Sequence, residues 1–522
     1  MDLILYNGKI DAMDNNIYEA IAIKDGRVFK IGKNEDILPL KTKYTNIIDL
    51  NTKVVLPGFN DSHMHLYNTG KTLDTINLLG VKSIKEVKEK VRNFIKKNPN
   101  LKIIKGRGWN QDYFEDESRF LTKDDLDEIT IEFPLILSRA CGHIATVNSK
   151  ALEGIKKDIK IEGGYIDFDT GIVYENALNL FETKETKEEI KNTIIKAMKY
   201  ANSYGITTVQ SDDFGENYNL ILESYQELMK ENKLTTRIYE QCLLPSLDKL
   251  KKFINEGYFT GHGNDYFRIG PLKLLSDGSL GARTAALSKP YEDDKTNSGI
   301  LIYEYDELEK IITYANNHKF QIAVHAIGDK AIYEVLNIYK KIIKDKNTLR
   351  HGIVHSQIMD EKLIDLYAKH DILAYIQPIF IHYDHRIVER RVGRSLAQTS
   401  YAFRTMLDKG INLSLGTDSP IEHLNPFANL YCAVTRKGLE GSPIGGWFPE
   451  ESLSLYDAIS LYTKGSSYSE FQEHQKGVLK PGYLADLIVL NHDIFSVPAE
   501  KLLDTKVEYT IVGGKIVYSI YK

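Results

Sequence analysis

The sequence predicts an α/β fold: a TIM-like (β/α)8 barrel, a small β-sandwich domain built from both termini, and an inserted α+β subdomain after the first barrel strand. Three observations lead there. The two ends of the 522-residue chain share a texture of short β-type runs broken by turn dipeptides. The middle alternates apolar strand-like runs with amphipathic helical stretches. The first two of those strand-like runs lie roughly 145 residues apart, far beyond an ordinary connection.

At the start, LILYNGKID and AIAIKDGRVFKIG are β-type runs. Their Asn7-Gly8 and Asp25-Gly26 pairs favour tight hairpins, because both residues of each pair accept positive φ. At the end, ADLIVLNHD and VEYTIVGGKIVY repeat the pattern, with Gly513-Gly514 as the turn. Neither end alone has enough strands for a core. Residues 1–56 and 471–522 are therefore expected to form one small β domain around a barrel at 57–470. Eight candidate barrel strands can be counted: Val54–Asn60, Ile206–Gln210, Arg237–Leu244, Arg268–Leu275, Gln321–His325, Gly352–His355, Ile372–Gln377 and Asn412–Gly416. Helical patterns at Lys184–Tyr204, Tyr305–His318 and Lys330–Lys344 fall between them. The insertion, about 66–183, opens a helix at Ser83 with Glu86 three residues on, a capping-box pattern. It also holds β-like pieces, LKIIKGRGW, FPLILSRACGH and IEGGYIDFDTGIVY.

Composition narrows the function. Hydrophobic residues at 42% and charged residues at 27% exclude wholesale disorder, a collagen-like fibre and a membrane bundle. Lys plus Arg number 67 against 72 Asp plus Glu, a net charge of −5. The charges are interspersed, which argues against nucleic acid as a partner. The Lys-rich stretch from Lys82 to Lys97 reads as a solvated helix face. The 3 cysteines, Cys141, Cys242 and Cys432, are far apart and in no ligand-like spacing, as expected for a reducing cytoplasm. MDLILYNGKI lacks the features of a secretory leader, and no apolar run is long enough to span a bilayer. The expected partner is a small-molecule substrate, and a homodimer would be unsurprising.

The residues that could carry chemistry sit at strand ends. In PGFNDSHMH, His63 and His65 fall on one face of a strand, where two imidazoles can grip one metal ion. His325 ends QIAVHAIGD, His355 ends GIVHSQ, Asp418 follows NLSLGTDSP, and Lys273 lies inside IGPLKLLSDGS. Any one of these alone reads equally well as a structural histidine or an edge charge. In a barrel, however, all strand C-termini open on one mouth. These residues fall on the first, fourth, fifth, sixth and eighth candidate strands, so their convergence follows from topology.

PGFNDSHMH, LKLLSDGSLGARTAAL, VHAIGD, IVHSQ and LGTDSP, in this order, resemble the amidohydrolase superfamily. More narrowly the chain is similar to amidohydrolase family 3, the branch that includes N-substituted formamide deformylases. RGWNQDYF, GHIATVNSKAL and KPGYLADLIVL extend the likeness over nearly the whole length. The resemblance implies that His63, His65 and Asp418 bind a buried metal and that His325 and His355 bind a more exposed one. It implies that Lys273 bridges them as an N-carboxylated side chain, with Glu175 as the alternative bridge. Zinc suits such nitrogen and oxygen ligands, at one or two ions per chain; iron, manganese and cobalt also fit. Asp418 would shuttle the proton. His143, Trp109, Asp277, Arg283 and Gln377 are candidate substrate-binding residues.

The expected function is a metal-dependent hydrolase of a non-peptide carbon–nitrogen bond, using an activated water and the Asp418 shuttle. An esterase, lactonase or deaminase on the same centre would need the same residues. A metal-free scaffold would show gaps in the ligand set, whereas every position here carries a competent ligand.

Overall fold

The computed structural model describes residues 1–521 apart from 100, 142, 182–184 and 216. Two compact units emerge, one of Met1–Tyr67 with Ile194–Lys522 and one of Asn68–Thr193.

The first unit holds an eight-stranded parallel barrel sheet: β1 (Phe59–Met64), β2 (Ile206–Ser211), β3 (Arg237–Leu243), β4 (Phe267–Leu275), β5 (Ile322–Ala326), β6 (Gly352–His355), β7 (Leu373–Ile376) and β8 (Leu413–Leu415). Neighbours pair in chain order from β1 to β8. Beyond β8 the chain closes on β1: the Asp418 amide donates to the His63 carbonyl at 2.8 Å, and the His65 amide to the Ser419 carbonyl at 2.8 Å. Gly416 is what allows this. A Cβ there would lie 2.6 Å from the His63 amide nitrogen. Helices between the strands bury apolar stripes on the sheet; Asp329–Ile342 buries Ile332, Val335, Leu336 and Tyr339. The helix expected from Lys184 runs from Lys187 to Ser203; the expected start, and the expected insertion end at 183, lie outside the described residues.

Seven of the eight candidate strands match β2 to β8 within two residues at each end. The first needs correction. Val54–Pro57 pairs with Leu487–Leu490 in a terminal sheet, and the barrel strand starts only at Phe59. VVLPGF reads as one apolar run, but Pro57-Gly58 passes the chain from one sheet to the other. Gly58 has no room for a Cβ, which would meet Thr207 Cγ2 at 2.2 Å.

The two ends of the chain form a sandwich. Arg27–Gly32, Ala20–Lys24, Leu3–Tyr6 and Asn46–Asp49 make one sheet. Lys515–Ser519, Val507–Val512, Leu487–Leu490, Val54–Pro57, Lys9–Asp11 and Ile17–Tyr18 make the other. Between them lie Leu5, Ile21, Ile23, Val55, Leu487 and Ile511, all buried. Asp25-Gly26 and Gly513-Gly514 close hairpins with positive φ at all four residues. Asn7-Gly8 does not: the strands it joins, Leu3–Tyr6 and Lys9–Asp11, lie in different sheets.

The second unit carries its own six-stranded sheet, antiparallel from Gly164–Asp167 through Ile172–Glu175 and Ile144–Val147 to Leu135–Arg139, then parallel to Ile104–Trp109 and Thr75–Asn77. Its helix Ile84–Lys97 is capped by Ser83, whose hydroxyl accepts from the Glu86 amide at 3.0 Å. The reciprocal arm of the expected capping box shifts by one residue: Glu86 accepts from the Lys82 amide at 2.9 Å. Among the described residues no helix is long and apolar enough to cross a membrane.

Candidate metal centre

Ligand atoms of His63, His355 and Asp418, all buried, lie within 4.8 Å of one another at the C-terminal end of the barrel. Asp418 Oδ1 is 3.4 Å from His63 Nε2 and 3.2 Å from His65 Nε2. The His63 ring centroid is 5.4 Å from that of His65 and 5.5 Å from that of His355, and His325 stands 4.5 Å from His355. The structure thus brings the five histidine and aspartate candidates together.

Each histidine has one ring nitrogen bonded to a partner outside the histidine–Asp418 cluster. His63 Nδ1 meets Gln241 Oε1 at 2.7 Å; the Gln241 amide donates to the Ser62 carbonyl, so its oxygen faces the ring. His65 Nδ1 donates to the Asp212 backbone carbonyl at 2.7 Å. His355 Nδ1 meets Gln377 Oε1 at 2.9 Å, with the Gln377 amide given to the Tyr375 carbonyl. All three imidazoles therefore carry a proton on Nδ1; His63 and His355 turn an Nε2 lone pair inward, whereas His65 Nε2 donates to Asp418 Oδ1 at 3.2 Å. His325 is reversed: its Nε2 donates to the Gly278 carbonyl at 3.1 Å, leaving Nδ1 free.

Burial depresses the His63 imidazolium well below its ordinary range, and the nearby Lys273 ammonium adds to this. Burial, with His325 beside it, takes His355 down to about 3. Both are neutral near neutrality, as ligation requires. Burial opposes the charged forms of His65 and Asp418 too. Their mutual hydrogen bond outweighs it, lifting His65 to about 9 and holding Asp418 well below the usual carboxylate range. Asp418 and His355 also have φ of +59° and +78°, left-handed conformations that side chains rarely adopt. The inward lone pairs of neutral His63 and His355, the ionised Asp418 carboxylate and a His65 Nε2 whose proton a metal would displace fit a divalent transition metal.

Lys273 is buried in β4, and its Nζ is 3.0 Å from Asp212 Oδ2. Of the substrate-binding expectations, Trp109 and Asp277 need correction. Trp109 is fully buried in the core of the second unit, its indole N–H donated to the Leu137 carbonyl at 2.8 Å and its ring packed on Phe114 and Phe120. Asp277 is buried, and its carboxylate is consumed by the amides of Ala286, Ile327 and Gly328. Arg283 forms a two-point pair with Asp293. Gln377 serves His355. His143 lies in the second unit with an exposed ring, its Nδ1 2.9 Å from Glu175 Oε2.

Gln241 and Asp212 escaped the sequence reading. Gln241 is a polar residue in the otherwise apolar end of RIYEQCLL, and Asp212 follows the second strand in VQSDD. Both satisfy the criterion that picked out Lys273 and Asp418. Asp61 was passed over inside PGFNDSHMH. Its buried carboxylate accepts from the Thr417 amide and hydroxyl at 3.0 and 2.6 Å, which ties β1 to the Asp418 loop.

A parallel barrel with a histidine-rich metal site at its C-terminal mouth defines a metal-dependent hydrolase scaffold. The chain belongs to the amidohydrolase family, whose model matches residues 46–518, and it is a metal-dependent hydrolase. It is 31% identical to the putative amidohydrolase YtcJ of Bacillus subtilis, covering 99% of both chains. It is 22% identical to the N-substituted formamide deformylase of Arthrobacter pascens, covering 99% of this chain and 98% of that one. An uncharacterized metal-dependent hydrolase from Pyrococcus furiosus superposes with a TM-score of 0.77 at 31% identity, covering 94% of this chain and 99% of that one.

Proposed function

We propose that the protein hydrolyses a carbon–nitrogen bond of an amide-type, non-peptide small molecule, with zinc held by His63, His65, His355 and Asp418. The observation that supports this is the gathering of the His63, His65 and His355 rings around the buried Asp418 carboxylate, whose Oδ1 is 3.4 Å from His63 Nε2 and 3.2 Å from His65 Nε2. A divalent cation held there supplies Lewis acidity, polarising a carbonyl and drawing the pKa of a water toward neutrality. Asp418, ionised and at the centre of the cluster, accepts the proton of the attacking water. It then returns that proton to the leaving nitrogen, which would otherwise depart as a very poor amide anion. Gln241, Gln377 and the Asp212 carbonyl keep the imidazoles in the ligating tautomer while this happens. His325, with Nδ1 free, and Lys273 as a carbamate would hold a second ion in this reading.

The similarity to a formamide deformylase favours N-formyl and N-acyl amines over esters as the first substrates to test. The experiment is elemental mass spectrometry on protein purified without chelator or metal-affinity resin, followed by a screen of N-formyl and N-acyl amines against matched esters. Near-stoichiometric zinc with faster amide turnover supports the reading. Turnover confined to the esters overturns the bond assignment.

A further inference from the structure

We infer that Asp212 is a further oxygen ligand of the metal centre, acting directly and not only through Lys273. The inference rests on the metal reading above.

Three features of Asp212 carry it. Its backbone carbonyl receives the His65 Nδ1 proton at 2.7 Å, which places the residue against a metal-binding imidazole. Its side chain is 3% exposed, and Oδ2 pairs with Lys273 Nζ at 3.0 Å. Its other oxygen, Oδ1, is buried and has no hydrogen-bond partner among the described residues. A buried carboxylate oxygen left without a donor is costly, because it has given up water for nothing. Such groups persist where something else completes them, and for a residue that touches both His65 and Lys273 that completion is a cation. Lys273 Nζ, which keeps an N–H as an ammonium or as a carbamate, donates to one oxygen of Asp212 and leaves the other for the ion. A carboxylate is the hard ligand that a site of imidazoles and one aspartate otherwise supplies only once. Asp61 is committed to Thr417, and Asp213 to Ser211, Tyr225 and the Tyr67 amide. Glu240 accepts from the Asp213 amide on one oxygen and keeps the other without a donor among the described residues, but of these carboxylates only Asp212 also touches His65 and Lys273.

The test measures affinity for Zn2+ by competition with a chromogenic chelator, and the visible spectrum of the Co2+-loaded protein, in wild type, Asp212→Asn, Lys273→Gln and the double variant. Thermal melts check folding. Asp212→Asn should weaken Zn2+ binding at least tenfold and shift the Co2+ bands, and it should do so again in the Lys273→Gln background. Zn2+ affinity within twofold of the matched parent in either background overturns the inference, since Asp212 then acts through Lys273 or not at all. Asp212→Glu, which keeps a carboxylate, should recover affinity to within threefold of wild type. If Asp212→Asn does not fold, the Asp212→Glu spectrum decides: shifted Co2+ bands support a ligand, and unchanged bands overturn it. A wild-type chain that takes up neither ion fails the metal reading itself, whereas normal wild-type uptake with an unaffected Asp212→Asn fails this inference alone.

Discussion

The barrel carries two buried polar clusters, one at each end, and they are built on opposite principles. Toward the N-terminal ends of the strands, Glu470 is surrounded by donors: Lys476 Nζ at 2.6 Å and Asn60 Nδ2 at 2.5 Å on Oε1, and Arg268 Nη2 at 2.8 Å on Oε2. Lys476 also donates to the Thr208 hydroxyl, and Arg237 forms a two-point pair with Asp486. There every charge is answered by protein. At the C-terminal mouth, three imidazoles gather around one carboxylate, Asp212 keeps an oxygen without a donor, and His355 and Asp418 sit at positive φ. The closed cluster stabilises; the open one is incomplete without a cation. Burial alone therefore does not mark function; a carboxylate oxygen without a donor beside a histidine cluster is what separates these two ends.

The sharpest way to break this contrast is to change one group at each end. Asp418→Asn keeps the side-chain shape and removes the base. Hydrolysis should fall about 10²–10⁴-fold, the usual worth of a positioned proton carrier, with most of the metal retained and little change in Tm. Steady-state kinetics with elemental analysis checks this, and near-normal turnover would remove Asp418 from the proton path. Glu470→Ala should do the reverse. Taking the shared acceptor from Lys476 and Arg268 leaves buried cations unpaired, at about 3–5 kcal/mol of stability in denaturant titrations. Metal content per folded chain should hold. A parallel loss of metal would show that the two ends are coupled.

Weaker changes sharpen the picture of the mouth. Gln241→Leu and Gln377→Leu each remove the acceptor that fixes one imidazole. Second-layer partners of this kind are worth about 10–100-fold in metal affinity. Chelator competition should show that loss with the fold intact. If affinity is unchanged, the tautomers are set by something other than these amides.

Much of this was legible in the sequence, because strand order converts a linear list into one mouth. His63, His325, His355 and Asp418 could be gathered without knowing a single distance. What escaped had a shared physical cause. Gln241 and Asp212 stand at strand ends like Lys273 and Asp418, but they act through partners far away in sequence, Ser62 and His63 for one and His65 and Lys273 for the other, so their roles could not be read locally. Trp109 erred in the opposite direction, since an aromatic among glycines is equally a pocket wall or a core residue, and here the Leu137 carbonyl made it core. The first barrel strand was misplaced because periodicity cannot see that Pro57-Gly58 divides one apolar run between two sheets.

The smallest expected effect compares two histidines at opposite ends of β6. His351 immediately precedes the strand and His355 ends it, and burial drives both imidazoliums down to about 3. His355 keeps a free Nε2, whereas His351 uses both nitrogens: Nδ1 accepts from the Ile322 amide at 3.1 Å, and Nε2 donates to Asn316 Oδ1 at 3.1 Å. Protonating His351 would destroy the acceptor that the Ile322 amide needs. Its folded pKa lies below the unfolded value of about 6.5, so its contribution is complete above that pH and is lost as pH falls toward 3, at ~1.4 kcal/mol per unit. His351→Gln does not titrate. The stability difference between wild type and this variant, measured by urea unfolding at pH 7, 5.5 and 4.5, should therefore shrink by that slope, because His63 and His355 titrate in both proteins and cancel. Parallel curves would mean that His351 is not held neutral by the fold, and that the closed end of the barrel tolerates a charge that its hydrogen bonds should forbid.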